Sequence, residues 1–217
     1  MYHWIEDKEF LINMRSACFD LMNQLKQRIN NDNYMEVDFH LVGSGARNLE
    51  TQNANEPIDL DFNLNIKSIR NGIFDAPKIK EYVRKEFNKI LNNNGQEDCK
   101  DSKSVLSTAK MSLEKGNKTK FSIDLAIVRE KPNGSWSRLI HEKTGNTNQD
   151  RWFWNEGPQS KGLTKKVEVI KSNNHWNDVR EAYLDKKNMY LKRNDHSHPS
   201  FNCYIEAVNQ VYYDYFN

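Results

Sequence analysis

Three aspartates interrupt the apolar pattern of two expected strands. In residues 58–66 every second residue is apolar, so Asp59 and Asp61 emerge together on the opposite face, about 7 Å apart at their Cα atoms. Asp124 leaves the apolar face of residues 119–128 in the same way. Carboxylates set in apolar strands are costly unless a cation or solvent compensates their charge. Mg²⁺ is usually held by one or two carboxylates and substrate phosphate oxygens. The pattern therefore indicates phosphoryl chemistry assisted by two ions about 3.5–4 Å apart.

A glycine-rich turn offers the complementary half of such a site, a place for a phosphate group. The strand expected at 36–42 runs into Gly43-Ser44-Gly45. Glycines let backbone N–H groups approach a phosphate closely, and the Ser44 hydroxyl adds one more donor. A helix that begins directly after the turn would contribute favourable partial positive charge.

Two basic residues are further candidates for contact with a triphosphate. Arg47 follows the glycine turn, and Lys110 lies on the strand expected before Asp124. Basic residues at such positions more often lie solvated on the protein surface. This alternative stays open for both Arg47 and Lys110. The pair His196 and His198 has a spacing that a metal could use, but we interpret it as a polar loop that caps the last helix.

The three motifs together resemble the signature of the DNA polymerase β-like nucleotidyltransferase superfamily. That signature is an apolar residue, Gly, then Gly or Ser, followed after a gap by acid-apolar-acid and by a third acid on a later strand. Here it is met by Gly43-Ser44, Asp59-Leu60-Asp61 and Asp124, over about residues 36–128. The resemblance implies an α+β fold, with a small mixed or antiparallel sheet flanked by helices and a C-terminal helical segment.

The resemblance also implies a function for these residues. Asp59 and Asp61 would bind two Mg²⁺ ions, with Mn²⁺ as an alternative, and Gly43 and Ser44 would hold a nucleoside triphosphate (NTP). Asp124 would be the third ligand and would activate an acceptor hydroxyl. The implied reaction moves a nucleoside monophosphate from the NTP to that hydroxyl and releases pyrophosphate. A catalytically inactive nucleotide-binding or partner-binding module and a pyrophosphokinase are the alternatives.

The elements that must position these residues follow from periodicity. Apolar residues at steps of three and four predict helices, and alternation predicts strands. The helices are expected at 5–29, 77–91, 163–171, 175–191 and 199–216, and the strands at 36–42, 58–66, 104–113, 119–128 and 136–141. The strands at 104–113 and 119–128 are expected to form a hairpin with its turn at 115–118. The Trp-rich stretch at 151–159 is interpreted as irregular, with its tryptophans between two lobes.

Domain organisation and composition complete the expectations. We predict a catalytic core at 1–145 and a helical segment at 146–217 that packs on it. The 217 residues carry a formal net charge of +2, which does not favour long nucleic acid as a partner. Three widely spaced cysteines, the lack of a leader-like N-terminus and the lack of a long apolar run predict a cytoplasmic protein without a membrane partner.

Overall fold

The computed structural model describes residues 1–70, 75–114, 118–131, 133–157, 162–195 and 198–217. Within them the chain forms nine strands and five α-helices. The strands are β1 (Tyr2–Trp4), β2 (Met35–Leu41), β3 (Thr51–Asn53), β4 (Ile58–Ile69), β5 (Lys100–Asp101), β6 (Leu106–Ser107), β7 (Phe121–Glu130), β8 (Trp136–Glu142) and β9 (Arg151–Glu156). The helices are α1 (Lys8–Asn31), α2 (Ala76–Asn93), α3 (Leu163–Ser172), α4 (Trp176–Lys192) and α5 (Ser200–Phe216).

The main sheet is mixed, as expected. Its strand order is β2-β4-β7-β6-β5, with β8 also paired to β7 and β9 paired to β8. The central pair β4 and β7 is parallel, and the other pairs of this sheet are antiparallel. The expected α+β fold with a small sheet and flanking helices is therefore confirmed.

Helices α1 and α2 belong to the apolar face of this sheet. In β4, Leu60, Phe62 and Leu64 are fully buried. Phe19 of α1 packs edge-on against Phe62, with ring centroids 5.5 Å apart, and Phe10 packs against Phe121 of β7. Since the apolar residues of β4 face the helices, the intervening polar residues lie on the other face.

The chain divides into two compact units whose bounds differ from the two expected domains. One unit, here called the sheet unit, comprises residues 6–46 and 57–157, and the other, the helical unit, comprises 1–5, 47–56 and 158–217. The expected boundary at residue 145 fell before β9, which pairs with β8 and so belongs to the sheet unit.

The helical unit explains why the N-terminus and residues 47–56 leave the expected core. Strand β1 pairs with β3 in a separate two-stranded sheet, and Leu49 is buried in one cluster with residues of α3, α4 and α5. The Lys187 ammonium donates to the Thr51 hydroxyl at 2.9 Å. The three C-terminal helices lie where periodicity predicted them. Among the described helices, none has the length and apolar composition needed to span a bilayer.

Two expected elements differ from the observed ones. The arm expected at 104–113 is strand only at Leu106–Ser107, with an isolated bridge from Met111 to Phe121. The ladder breaks because the Thr108 hydroxyl, and not a backbone carbonyl, accepts the N–H of Ile123. Of the hairpin turn expected at 115–118, residues 115–117 lie outside the described residues. Within the stretch 151–159 that we expected to be irregular, Arg151–Glu156 form β9, and residues 158 and 159 lie outside the described residues.

Candidate active site

The central strands bring the three aspartates to one face of the sheet. In the parallel register of β4 and β7, Asp61 lies directly opposite Asp124, and Asp59 lies opposite Ser122. Neighbouring strands are about 4.8 Å apart, so the Asp61 and Asp124 side chains leave adjacent backbones on the same side. Like charges directly opposite each other destabilise a sheet. A cation bound to both carboxylates would offset this cost.

The surroundings of Asp124 change the pKa of its carboxyl group. Burial raises its pKa above the ordinary value, a hydrogen bond from Ser107 opposes the shift, and the nearby charge of Asp59 raises the pKa further. A carboxylate with a raised pKa is a better proton acceptor than an ordinary one. This property suits the role that we expected for Asp124.

Two serines hold two of the carboxylates. The Ser107 hydroxyl donates to Oδ1 of Asp124 at 2.6 Å, and the Ser122 hydroxyl donates to Oδ1 of Asp59. Both contacts are cross-strand. Ser107 is in register with Asp124 in the pairing of β6 with β7, and Ser122 is in register with Asp59 in the pairing of β4 with β7. Neither serine was predicted from the sequence. Ser122 could have been found, since it lies two residues before Asp124 and therefore on the same face.

The third carboxylate lies against the glycine turn. Gly43 has a φ of +65°, and a Cβ atom there would overlap Oδ2 of Asp61 and lie 3.0 Å from its Cγ. The backbone N–H of Val42 donates to the Asp61 carbonyl at 2.8 Å. A residue without a side chain is therefore required at position 43, both by the left-handed backbone and by the close approach of Asp61.

The rest of the turn is anchored to the sheet unit. Gly45 is buried, and a Cβ atom there would lie 2.9 Å from Leu60 and 3.2 Å from Leu41. The Arg15 guanidinium of α1 donates to the Gly45 carbonyl at 3.1 Å, a contact that the sequence did not reveal. The expected helix after the turn is a single 3-10 turn, Gly45–Arg47. It ends at Asn48, which has a φ of +55°, so the expected contribution of a helix N-terminus is absent from the described turn. Ser44 is half-buried.

The two basic candidates lie in different surroundings, each within its own unit. Arg47 belongs to the helical unit, where its guanidinium lies over the rings of Tyr204, at 4.6 Å, and Phe201, at 5.7 Å. Lys110 is exposed in the irregular segment after β6. Their assignment to a triphosphate stays a prediction.

The other singled-out residues have local partners. His198 stacks on Tyr190 at 3.6 Å, and its Nε2 lies 3.1 Å from Glu206, while His196 lies outside the described residues. Trp152 stacks on His141 at 3.5 Å, and Arg129 lies 4.2 Å over Trp154. Both tryptophans thus pack on residues of their own sheet unit.

The donor set fits a hard cation that shares its ligands with a substrate. In the part of the chain that the structure describes, no group of three or more His, Cys, Asp or Glu side chains is arranged to hold a metal ion. Mg²⁺ normally needs only one or two carboxylates and takes its other ligands from phosphates and water. The opposed pair Asp61 and Asp124, with Asp59 near Asp124, offers that set, and a cation would relieve its repulsion.

The fold of this chain is shared with solved structures of other proteins. No protein-family model and no curated protein matches the sequence, but solved structures do. The chain is similar to CdnC of E. coli MS115-1, solved with ATP, with a TM-score of 0.58 and 14% identity over 96% of this chain and 62% of that chain. It is also similar to GTP-bound DncV of Vibrio cholerae, with a TM-score of 0.55 and 12% identity over 84% of this chain and 46% of that chain.

A third similar structure is CdnE of Elizabethkingia meningoseptica, a cyclic dinucleotide synthase solved with GTP and Apcpp. Its TM-score is 0.50, with 10% identity over 88% of this chain and 68% of that chain. The present chain thus spans less than two thirds of the CdnC chain and less than half of the DncV chain. At these identities the similarity establishes the fold.

Proposed function

We propose that the protein is a metal-dependent nucleotidyltransferase that transfers a nucleoside monophosphate from an NTP to an acceptor hydroxyl and releases pyrophosphate. One observation carries the proposal: Asp61 and Asp124 oppose each other in register beside the Gly43 turn, with Asp59 on the same face. The fold, which is shared with structures solved with ATP and GTP, supports it.

The chain's own residues have distinct roles in this reaction. The acceptor oxygen forms a bond to the α-phosphorus while the bond from that phosphorus to the bridging oxygen breaks, so pyrophosphate leaves. Asp124 accepts the proton of the acceptor hydroxyl. Asp59, Asp61 and Asp124 would hold Mg²⁺ or Mn²⁺, which when bound neutralises the charge of the phosphates. The backbone at Gly43 and Ser44 binds and orients the triphosphate, so catalysis is mainly positioning and charge stabilisation.

The acceptor is proposed to be a hydroxyl of a second nucleotide. CdnE is a cyclic dinucleotide synthase, and the near-neutral charge of this chain, +2, does not favour a long polyanion as the acceptor. The expected product is a linear or cyclic oligonucleotide of a few residues.

Labelled nucleotides test the proposal. The protein is incubated with Mg²⁺ and each of the four NTPs, singly and in pairs, labelled at the α- or the γ-phosphate. Appearance of α-label in a phosphatase-resistant product supports nucleotidyl transfer. Transfer of γ-label to an acceptor would instead indicate a pyrophosphokinase, and nucleotide binding without any transfer would indicate an inactive module. Asp59→Asn is the negative control.

A further inference from the structure

The two serine contacts use the same oxygen atom in each carboxylate. The Ser107 hydroxyl donates a hydrogen bond to Oδ1 of Asp124 at 2.6 Å, and the Ser122 hydroxyl donates one to Oδ1 of Asp59. Each serine is the direct cross-strand neighbour of its aspartate. The sheet register, and not a flexible loop, therefore sets both contacts, and the rotation of each carboxylate is restrained.

Each restrained carboxylate has one oxygen, Oδ2, left for a cation. A carboxylate that is hydrogen-bonded through one oxygen binds a metal most readily through the other, with a single bond. The small Mg²⁺ ion needs near-ideal octahedral geometry and takes such single-oxygen ligands, whereas the larger Ca²⁺ ion has six to eight ligands and accepts carboxylates through both oxygens. Hydrogen-bond partners of metal ligands also change metal affinity strongly when they are removed.

We propose that Ser107 and Ser122 are positioning residues that limit Asp124 and Asp59 to one metal-binding oxygen each, and that they thereby set the preference of the site for Mg²⁺ over Ca²⁺. The inference rests on the proposed function, since it assumes that these aspartates hold the cation. Both serines lie outside the motifs by which the sequence resembles its superfamily.

The test is a competition between cations that does not depend on turnover. Mn²⁺ bound to the protein with a nonhydrolysable ATP analogue is measured from the electron paramagnetic resonance signal of free Mn²⁺, after subtraction of nucleotide alone. Mg²⁺ or Ca²⁺ is then titrated in, and the ratio of the two displacing concentrations gives the preference. The variants are Ser107→Ala, Ser122→Ala and the double variant. Ser107→Thr, which keeps a hydroxyl, and Ser172→Ala, an exposed serine of α3, are the matched controls.

The expected result is a loss of about tenfold in the Mg²⁺ preference of the double variant, with smaller losses in the single variants. The two controls are expected to keep the wild-type ratio. Wild-type retention of Mn²⁺ with an unchanged ratio in all alanine variants would overturn this inference and leave the proposed function standing. Failure of the wild type to retain Mn²⁺ would overturn both. If the double variant does not fold, the single variants decide.

Discussion

At the scale of single residues, the site is defined by two carboxylates, Asp61 and Asp124, that lie opposite each other on adjacent strands. The two carboxylates are cross-strand neighbours, and burial already raises the pKa of Asp124. A sheet that only had to be stable would gain by losing one of these charges. The proposed cation would offset this cost, which is consistent with the proposed function.

Asp61→Asn tests this reasoning because it separates stability from activity. Removal of one charge by this isosteric change is expected to alter the free energy of unfolding without ligand by no more than about 1 kcal/mol. NTP turnover is expected to fall at least about a hundredfold, since a carboxylate proposed to hold the cation is lost. Urea unfolding and the labelled assay measure the two effects. Asp20→Asn, an exposed position on α1, should change neither, and near-normal turnover by Asp61→Asn would remove the site assignment.

Gly43→Ala tests the contact between the turn and Asp61. Gly95 also has a positive φ, +70°, but a Cβ atom there would have no neighbour within 4 Å, while at Gly43 it would overlap the Asp61 carboxylate. Gly95→Ala should cost about 1–2 kcal/mol through backbone strain alone. Gly43→Ala should cost at least about 1 kcal/mol more, because the Asp61 side chain must move. Equal losses in urea unfolding of the two variants would contradict the close approach.

The sequence predicts these residues to different degrees. Alternation alone placed Asp59, Asp61 and Asp124 on the polar faces of their strands, because an apolar face leaves no freedom of register. Ser107 could not be found in this way. Its register with Asp124 depends on a two-residue strand that ends where Thr108 uses its hydroxyl in place of a ladder bond. Arg15 was missed because its contact with the Gly45 carbonyl joins positions 30 residues apart.

At the scale of elements, the short strands β5 and β6 depend on side chains for their position. Asp101 of β5 forms an ion pair with Lys80 of α2 at 2.6 Å, and its other oxygen lies 2.6 Å from Nδ1 of His141 in β8. The Lys80 ammonium also donates to the Ser102 carbonyl at 2.7 Å. These contacts fix the strand that pairs with β6 and therefore support Ser107.

Asp101→Asn is expected to be strongly destabilising. The Lys80 side chain is only 3% exposed, so loss of its carboxylate partner leaves a buried charge uncompensated, at a cost of about 3–5 kcal/mol. Lys80→Met combined with Asp101→Asn should recover part of that loss, because the buried charge is also removed. Urea unfolding of the single and double variants measures both values. A double variant less stable than Asp101→Asn would contradict this account of the pair.

The pairing of α1 with α2 predicts a pH-dependent stability. Burial acts to raise the pKa of Glu86, but hydrogen bonds from Lys89 and Arg28 outweigh it and lower the pKa. A lowered pKa means stability that is present above the unfolded-state value, about 4.3, and that is lost as the pH falls through the folded-state value. Glu86→Gln should therefore cost about 1–3 kcal/mol at pH 7, and the difference from the wild type should vanish in acid.

A surface pair provides the control for Glu86. Glu81 also accepts from an arginine, Arg84, but its side chain is 43% exposed against 6% for Glu86. Exposed pairs contribute little to stability, so Glu81→Gln should cost less than about 1 kcal/mol. The measurement is urea unfolding at several values of pH from 3 to 7. A difference between wild type and Glu86→Gln that does not change with pH would contradict the role of its charge.

At the scale of the whole molecule, the sequence predicted the five helices and the main strands better than their grouping. Regular elements follow from local periodicity, so α3, α4 and α5 were found close to their observed bounds. The membership of residues 1–5 and 47–56 in the helical unit was not found. These segments are short, and the second contributes Leu49 to the buried cluster, so no periodic pattern shows which core they join.

Trp4→Ala tests that grouping. The Trp4 ring lies 6.5 Å from that of Tyr183, and the Arg180 guanidinium lies 4.0 Å over it. The Asn188 side chain also accepts from the Tyr2 N–H at 2.8 Å. Loss of the Trp4 ring should destabilise the helical unit by about 2 kcal/mol, because it is partly buried against α4.

Local opening is reported by amide hydrogen exchange. Exchange should become faster in α4 and α5 and change least in β4 and β7. Trp4→Phe, which keeps an aromatic ring, should show a smaller effect. Faster exchange confined to β4 and β7 would contradict the assignment of the N-terminal segment to the helical unit.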